Sequence, residues 1–363
     1  MSLTQTQVIE SLQTLQDPQT GETLSLGKGL SVRVTPEGRV AVSVVLGYPA
    51  RSLHAPLKAQ IEQRLAAAGA HEADVTVTSA VSAHSVQRGL QLLPGVKNII
   101  AVSSGKGGVG KSTTAVNLAL ALAAEGARVG MLDADIYGPS LPLMLGLQGA
   151  KPESDDGKTM KPLRAHGLQL NSIGFLVEQD QAMIWRGPMA TSALDQLLRQ
   201  TQWDDLDYLV VDMPPGTGDI QLTLSQKVPV TGAVVVTTPQ DIALLDATKG
   251  LKMFEKVGVP ILGIVENMSV YCCPNCGHSA PIFGAEGGQK MAAKHGVSLL
   301  AQMPLSLQIR EQADSGTPTV AADPDGELAG LYKAMARQVA VAVANQAKDY
   351  SSKFPTITIS AKT

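Results

Sequence analysis

Residues 105–113 read Gly-Lys-Gly-Gly-Val-Gly-Lys-Ser-Thr, and this stretch determines the fold class of the chain. An apolar run at 99–102 precedes it and predicts a buried strand, while the apolar spacing over 114–125 predicts a helix. A glycine-rich turn between a strand and a helix can direct successive backbone N–H groups at phosphate oxygens, at the positive end of the helix dipole. The alternative is a glycine-rich turn without a ligand. We interpret residues 105–113 as a loop that binds the phosphates of a nucleotide.

The side chains of this loop match the chemistry of a bound nucleoside triphosphate. Lys111 would reach the terminal phosphates, and the hydroxyl of Ser112 would bind Mg²⁺. The predicted contacts with ATP in the loop are Gly105, Lys106, Gly107, Gly108, Val109, Gly110, Lys111, Ser112 and Thr113.

A second lysine, Lys106, follows the first glycine of the loop. A cation at this position can neutralise charge on the transferred phosphoryl group, as an arginine finger does, or it can be a solvated lysine beside the loop. The spacing resembles the deviant Walker A motif of the MinD/ParA/nitrogenase-iron-protein class of ATPases. The resemblance implies a mostly parallel, doubly wound α/β sheet and an ATP-bound homodimer in which Lys106 reaches the partner's nucleotide.

Two further strand ends carry carboxylates that fit the chemistry of ATP hydrolysis. Asp133 and Asp135 follow the strand predicted at 128–133, and Asp212 ends the strand predicted at 208–212. Asp135 is the candidate for orienting the attacking water, and Asp212 for holding a Mg²⁺-bound water. Asp133 either assists the metal or is structural, and Asp135 could instead cap a helix or a turn.

Two more residues are predicted to contact the nucleotide. Gly216 lies in the glycine-rich turn after Asp212, where its backbone can approach the γ-phosphate. Asn267 ends the strand predicted at 261–267 and resembles the base-reading asparagine of the class, because an amide can both donate to and accept from the adenine edge. The alternative for Asn267 is a turn at a strand end. A fifth buried strand is predicted at 232–237. Ligands of open α/β sheets bind at the carboxyl ends of the strands, so the residues at these strand ends predict a single nucleotide site.

All three cysteines of the 363-residue chain lie between positions 272 and 276. Cys273 and Cys276 form a C-x-x-C pair in a turn, so both sulfur atoms can face one metal, but a tetrahedral site needs four ligands. A second copy of the chain would supply two more thiolates, which completes the ligand set of a [4Fe–4S] cluster. The alternatives are zinc shared between two subunits, a redox pair, inert structural cysteines, or a site completed by Cys272 or His278.

The combined pattern resembles the Mrp/ApbC family of MinD-like ATPases, which bind and transfer iron–sulfur clusters. The resemblance covers residues 95–345 through the loop, the acidic strand ends and the C-x-x-C pair. It implies a labile [4Fe–4S] cluster that bridges two subunits, slow ATP hydrolysis, and transfer to apoproteins, with scaffold proteins of cluster assembly as further partners. A MinD/ParA-like spatial organiser and a zinc-stabilised regulatory ATPase are the alternative functions.

The first 85 residues predict a separate small α+β domain. Periodicity predicts helices at 8–15 and 55–68 and strands at 30–34, 40–46 and 73–79. This order, with the turn at Asp17-Pro18, resembles the small domain that precedes MinD-like ATPases and occurs alone in iron–sulfur assembly proteins. Relatives of this domain usually carry a glutamate where Gln19 stands, and many have a cysteine near 48–50. This chain has no cysteine there, so the domain cannot supply a thiolate and a docking role is expected.

The remaining boundaries follow from composition and periodicity. Residues 86–96 are predicted to be a linker, 97–347 the ATPase domain and 348–363 a tail. The tail lacks the basic amphipathic helix that holds MinD relatives at membranes.

Composition limits the classes of partner. The formal net charge is −3 and aromatic residues make up 3% of the chain, so neither electrostatic attraction to nucleic acid nor base stacking is expected. No apolar run is long enough to span a bilayer, and residues 1–19 lack the apolar core of a signal peptide. We therefore expect a cytoplasmic protein with no nucleic-acid or membrane partner.

Overall fold

The computed structural model describes residues 4–35, 38–70, 72–87, 89–177, 187–273 and 275–349. The strands are β1 (Ser25–Leu26), β2 (Gly29–Val34), β3 (Val40–Leu46), β4 (Ala73–Ser79), β5 (Val96–Ser104), β6 (Val129–Asp133), β7 (Leu163–Ala165), β8 (Leu168–Ser172), β9 (Leu206–Asp212), β10 (Gly232–Thr237), β11 (Ile261–Glu266), β12 (Tyr271–Cys272), β13 (Ser279–Ala280) and β14 (Leu299–Gln302). The helices are α1 (Gln5–Leu12), α2 (Arg51–Ala67), α3 (Lys111–Ala124), α4 (Leu141–Met144), α5 (Gly187–Arg199), α6 (Asp219–Lys227), α7 (Asp241–Lys256), α8 (Gly287–His295), α9 (Leu307–Asp314), α10 (Thr319–Ala322) and α11 (Glu327–Ala344).

The small N-terminal unit is a four-stranded sheet in the order β1-β2-β3-β4 with α2 packed against it. The strands β2 and β3 pair antiparallel, whereas β3 and β4 pair parallel because α2 crosses over between them. The three strands predicted for this unit are confirmed. The first helix begins earlier than predicted, because Thr4 and Gln7 form a capping box at its start.

The large unit is built on an eight-stranded sheet in the order β14-β11-β10-β5-β9-β6-β8-β7. Each neighbouring pair is parallel except β7 with β8 at one edge. This arrangement confirms the predicted mostly parallel α/β sheet and the five strands predicted for it. The sequence did not predict β8, the edge strand β7 next to it, or β14 at the opposite edge.

Helices cover both faces of this sheet, as the alternation along β5 makes plain. Ile100 and Val102 pack in one core with α3 and α11, while Ile99 and Ala101 pack in a second core with α5 and α7. Successive side chains of a strand point to opposite faces, so a strand covered on both faces must be apolar throughout. The phosphate-binding stretch therefore follows an interior strand that is covered on both faces.

The residues just before the predicted linker meet the start of the predicted tail. His84 and Lys348 form an antiparallel bridge, with Ser85 N donating to Ala347 O at 2.8 Å. The strand β5 begins at Val96, the last residue of the predicted linker. The rest of the predicted tail, residues 350–363, lies outside the described residues.

The N-terminal unit contacts the large unit at the end of α3. The amides of Arg51 and Ser52, in the first turn of α2, donate to the backbone oxygen and the side chain of Glu125 at 3.0 and 2.9 Å. Glu125 ends α3 and is 1% exposed. The positive end of one helix dipole thus meets a buried carboxylate at the negative end of another. Within the described residues, no helix has the length and apolar character needed to cross a bilayer.

Candidate functional site

The phosphate-binding loop connects β5 to α3, and its shape requires glycine at particular positions. Gly108 and Gly110 have φ of +79° and +80°, a region that other residues rarely adopt. A Cβ on Gly110 would overlap Nδ2 of Asn267, and one on Gly105 would overlap the backbone of Asp246. Neighbouring elements therefore approach the loop too closely for any side chain at these two glycines.

The structure brings four predicted catalytic and metal-binding side chains together at the start of α3. Nζ of Lys111 lies 2.5 Å from Oδ1 of Asp212, 3.2 Å from Oγ of Ser112 and 4.0 Å from Oδ2 of Asp135. Lys111 is 6% exposed and Asp212 is fully buried. A cation, two carboxylates and a hydroxyl are thus largely shielded from water. Each electrostatic interaction in such a site is stronger than it would be at the surface.

The second carboxylate oxygen of Asp212 is a place where a metal-bound water would fit. Oδ2 of Asp212 is buried and has no hydrogen-bond partner among the described residues. A buried charged oxygen without a donor is costly, and a Mg²⁺-bound water would supply that donor. Together with the hydroxyl of Ser112, this chemistry fits the predicted Mg²⁺ site.

Asp133 anchors the loop that carries Asp135. Its buried carboxylate accepts the amides of Asp135, Ser140 and Leu141 at 3.0 to 3.1 Å and the hydroxyl of Ser172 at 3.1 Å. Burial, followed by the charge of Asp212, raises the pKa of Asp133 to about 7, and the amide hydrogen bonds oppose that rise.

The side chain of Asp135 is partly buried beside Lys111. Burial raises the pKa of Asp135, while the ammonium of Lys111 lowers it. A carboxylate with a raised pKa in a site of this kind is suited to accept a proton from water.

The turn after β9 contacts the phosphate-binding loop through its backbone. Gly216 has a φ of +97°, and its amide donates to the carbonyl of Ser104 at 2.9 Å. The amide predicted to approach the γ-phosphate is therefore bonded to the end of β5. The side-chain amide of Gln221 donates to the carbonyl of Pro214 and holds the same turn against α6.

Asn267 connects β11 to the phosphate-binding loop. Its Nδ2 donates to the carbonyl of Val109 at 2.9 Å, and its backbone amide donates to the carbonyl of Thr237 at 2.8 Å. The side chain is 8% exposed. Asn267 thus lies at the nucleotide site, and its role in reading adenine stays a prediction.

The cysteine pair lies on a two-stranded hairpin, β12 with β13, six residues beyond Asn267. The amide of Cys273 donates to the carbonyl of His278, and that of Gly277 donates to the carbonyl of Cys273, both at 2.9 Å. Cys276 is exposed and Cys273 is partly buried. The hairpin therefore presents both thiols at the surface of a tight turn.

The local backbone favours the thiolate form of Cys273. Hydrogen bonds from the amides of Asn275 and Cys276, and then from the Cys276 thiol, lower the pKa of Cys273. The thiolate is the form that binds metals. Within the described residues, no three His, Cys, Asp or Glu side chains are grouped to hold a metal ion. The described part of one chain therefore offers a pair of thiols and no complete metal site.

The sequence did not indicate Ser172 or Gly174, which lie at the end of β8 beside Asp133. Asp133 and Ser172 are directly paired at the carboxyl ends of adjacent parallel strands. Had β8 been predicted, the position of Ser172 at a strand end would have marked it as a candidate.

Comparison with known families gives matches for both units. A model described as an NUBPL iron-transfer P-loop NTPase matches residues 95–340, and one described as an iron–sulfur cluster assembly protein matches residues 5–79. The chain is 55% identical to the iron–sulfur cluster carrier protein of Escherichia coli over 334 residues, which covers 92% of this chain and 90% of that protein. It is 68% identical to the protein of the same name from Salmonella typhimurium over 246 residues, covering 68% and 67% of the two chains.

Solved structures share the fold of the large unit. A nucleotide-binding protein from Archaeoglobus fulgidus, solved with ADP, is 34% identical with a TM-score of 0.57, covering 66% of this chain and 93% of that one. The cell-division ATPase MinD of Pyrococcus furiosus is 24% identical with a TM-score of 0.50, covering 67% of this chain and 98% of that one, and shares the fold alone. These matches confirm the resemblance drawn from the motifs: the chain belongs to the NUBPL family of iron-transfer P-loop NTPases.

Proposed function

We propose that this protein carries [4Fe–4S] clusters and transfers them to apoproteins, and that it binds and slowly hydrolyses ATP as a homodimer. The observation that carries the proposal is the short connection between the nucleotide site and an exposed C-x-x-C hairpin. Asn267 contacts the phosphate-binding loop, and Cys273 lies six residues further along the chain. The relatives named iron–sulfur cluster carrier proteins support the same function.

The residues at the start of α3 would perform the nucleotide chemistry. Lys111 would bind the terminal phosphates, Ser112 and Asp212 would hold Mg²⁺ and its water, and Mg²⁺ would offset the phosphate charge. Asp135 would orient the attacking water and accept its proton. Lys106 of a second copy would neutralise charge on the transferred phosphoryl group.

Two hydrogen bonds would exchange when ATP binds. Lys111 would leave Asp212 for the phosphates, and the amide of Gly216 would leave the carbonyl of Ser104 for the γ-phosphate. Lys111 lies two residues after Val109, whose carbonyl accepts the side-chain amide of Asn267. Asn267 leads along the chain to the hairpin, and the segment between them is held by Leu305, whose amide donates to the carbonyl of Val270 at 2.8 Å. The nucleotide would thereby alter the position of the thiols that hold the cluster.

The exposed face beside the phosphate-binding loop supports association with a second copy. Ile242 and Leu245 lie in the first turns of α7 and are 64% and 66% exposed. The same helix contacts the loop, because its Asp246 backbone lies against Gly105. Apolar side chains this exposed, beside the proposed nucleotide site, fit an interface between two copies.

Anaerobic reconstitution with iron and sulfide tests the proposal. We expect about four iron and four sulfide per dimer, the content of one [4Fe–4S] cluster, together with activation of an apoprotein acceptor. Cys273→Ala and Cys276→Ala should abolish loading, whereas Cys272→Ala, in the adjacent position, should retain it. Full metal content in a monomer would contradict the bridging site. Stoichiometric zinc that iron does not replace would indicate a regulatory ATPase instead.

A further inference from the structure

The chain turns at residues 172–174, directly after β8, and this corner contacts the loop that carries Asp135. The hydroxyl of Ser172 donates to Oδ2 of Asp133 at 3.1 Å and accepts the amide of Gly174 at 3.1 Å. Asp133 and Ser172 are both fully buried. Since the two residues are paired across adjacent parallel strands, the sheet itself fixes their separation.

Ser172 differs from the other donors to Asp133 in where it comes from. The other three are the amides of Asp135, Ser140 and Leu141, which belong to the loop or to the start of the short helix after it. These amides would move with the loop if the loop moved. Among the donors to Asp133 in the described residues, the Ser172 hydroxyl is the one that belongs to a separate strand, β8.

Gly174 supports the loop from the same side through close packing. A Cβ at this position would lie 3.0 Å from Cγ of Pro142 and 3.2 Å from Cβ of Pro139. Contacts that close would displace the two prolines by a few tenths of an ångström. Glycine at position 174 thus allows the corner to pack directly against both ends of the loop segment from Pro139 to Pro142.

The position of Asp135 depends on this arrangement. Its amide donates to Oδ1 of Asp133, the carboxylate that Ser172 orients, and its side chain lies 4.0 Å from Nζ of Lys111. A rotation of the Asp133 carboxylate would therefore change the distance between Asp135 and the phosphates. The loss of a catalytic rate caused by small displacements of this kind is large.

We propose that Ser172 and Gly174 are positioning residues for ATP hydrolysis, which hold the Asp133-anchored loop so that Asp135 faces the attacking water. The inference rests on the proposed ATPase function. It assigns a catalytic purpose to β8, and it predicts an effect on the chemical step with little effect on nucleotide binding, because neither residue is among the predicted nucleotide contacts.

The test compares three serine variants of the full-length protein. Ser172→Ala should lower kcat by about tenfold, the effect of one hydrogen bond to a charged group, while the Kd for MgADP stays within about twofold. Ser172→Thr keeps a hydroxyl and should recover most of the rate. Ser225→Ala is the matched control, because Ser225 is fully buried and its hydroxyl has no partner among the described residues. It should leave kcat unchanged.

Gly174→Ala provides an independent variant at the same corner. We expect a similar loss of kcat, again without a change in the Kd for MgADP. Rates are normalised to the number of nucleotide-binding sites, so partial unfolding does not lower them. Iron loading should stay at the wild-type level in every variant, since the cysteine hairpin is untouched.

Three outcomes would overturn the inference. A wild-type kcat in both Ser172→Ala and Gly174→Ala would show that the corner does not position Asp135. A loss of nucleotide affinity that accounts for the whole loss of rate would indicate a structural role only. If the wild-type protein has no hydrolysis that Asp135→Asn removes, the ATPase part of the proposed function fails, and the inference fails with it.

Discussion

Arg337 in α11 donates to Oε1 of Glu125 at 2.5 Å, at the point where the helix that follows the phosphate-binding loop ends. Their side chains are 15% and 1% exposed. Ser52 donates to the same carboxylate oxygen at 2.6 Å, and Nε of Arg337 donates to Oε1 of Gln19 at 2.9 Å. The small unit, the nucleotide-site helix α3 and α11 thus share one cluster of polar side chains around the buried carboxylate of Glu125.

Arg337→Ala should lower the free energy of unfolding by about 3 kcal/mol, because the carboxylate of Glu125 would stay buried without its cation. Calorimetry or denaturant unfolding measures the change. The control is Arg310→Ala, which removes exposed ion pairs with Glu311 and Asp314 and should cost less than about 1 kcal/mol. Equal effects of the two variants would show that the buried cluster contributes no more than a surface pair.

Gly105→Ala should abolish MgADP binding, since the added Cβ would overlap the backbone of Asp246 and push the loop away from α7. Isothermal titration calorimetry measures the loss. The control is Gly250, which lies in α7, the helix that contains Asp246. A Cβ on Gly250 would meet only Cγ2 of Thr217, at 3.9 Å. Gly250→Ala should keep binding and raise stability by about 0.5–1 kcal/mol, the difference in helix propensity. Normal binding by Gly105→Ala would mean that the loop is not held by α7.

Lys106→Gln should lower ATP hydrolysis by about 10³-fold while MgADP binding persists, as expected of a group that acts on the transferred phosphoryl. Asp135→Asn should be inactive for a different reason, the loss of the proton acceptor. Mixing the two inactive variants tests whether Lys106 acts across an interface. A mixed dimer holds one site with both an intact Asp135 and a partner's Lys106, so hydrolysis should return. No recovery on mixing would place Lys106 in the site of its own subunit.

His84 should make the protein less stable as the pH falls below neutrality. Burial lowers the pKa of His84 from 6.5, an effect that its hydrogen bond to Asn98 at 2.9 Å opposes. Below pH 6.5 the unfolded chain therefore binds more protons at His84 than the folded chain does. The contribution of neutral His84 to stability is full above pH 6.5 and is lost as the pH falls through the lowered pKa of the folded state.

Denaturant unfolding between pH 5 and pH 8 measures this dependence. His84→Gln should flatten the slope of stability against pH in the acidic half of that range. Burial also lowers the pKa of His54, so a double variant with His54→Gln should flatten the slope further. An unchanged slope in His84→Gln would contradict the assignment.

The strands of the large sheet that the sequence predicted correctly share one property, which is an apolar run short enough to be a buried strand. The strands β9 and β10 are buried throughout and β5 is buried from Asn98 to Ser104, and their predicted parts read as apolar runs. The strand β8 is also fully buried, but Gln169 and Asn171 alternate with its leucines. These amides are bonded to Asp204 and Thr201, so burial costs little, yet the pattern resembles a polar loop.

In the candidate site, too, the sequence predicted some features and not others. The loop motif and the carboxylates at strand ends indicated Lys111, Ser112, Asp135 and Asp212, and the structure brings them together. The hydrogen-bond partners of two other predicted residues were not predictable: the amide of Gly216 donates to Ser104, and the side chain of Asn267 donates to Val109. Such bonds depend on the register between strands that lie far apart in sequence.

By itself, the sequence determined the features that a few consecutive residues can encode. The glycine spacing of residues 105–113 fixes a phosphate-binding turn, and the C-x-x-C spacing fixes two adjacent thiols, because covalent geometry limits how far such residues can separate. Only the tertiary structure decided that Ser172 faces Asp133 and that Arg337 meets Glu125. The second pair is 212 residues apart, and its contact arises from the packing of α11 against α3, which no local pattern records.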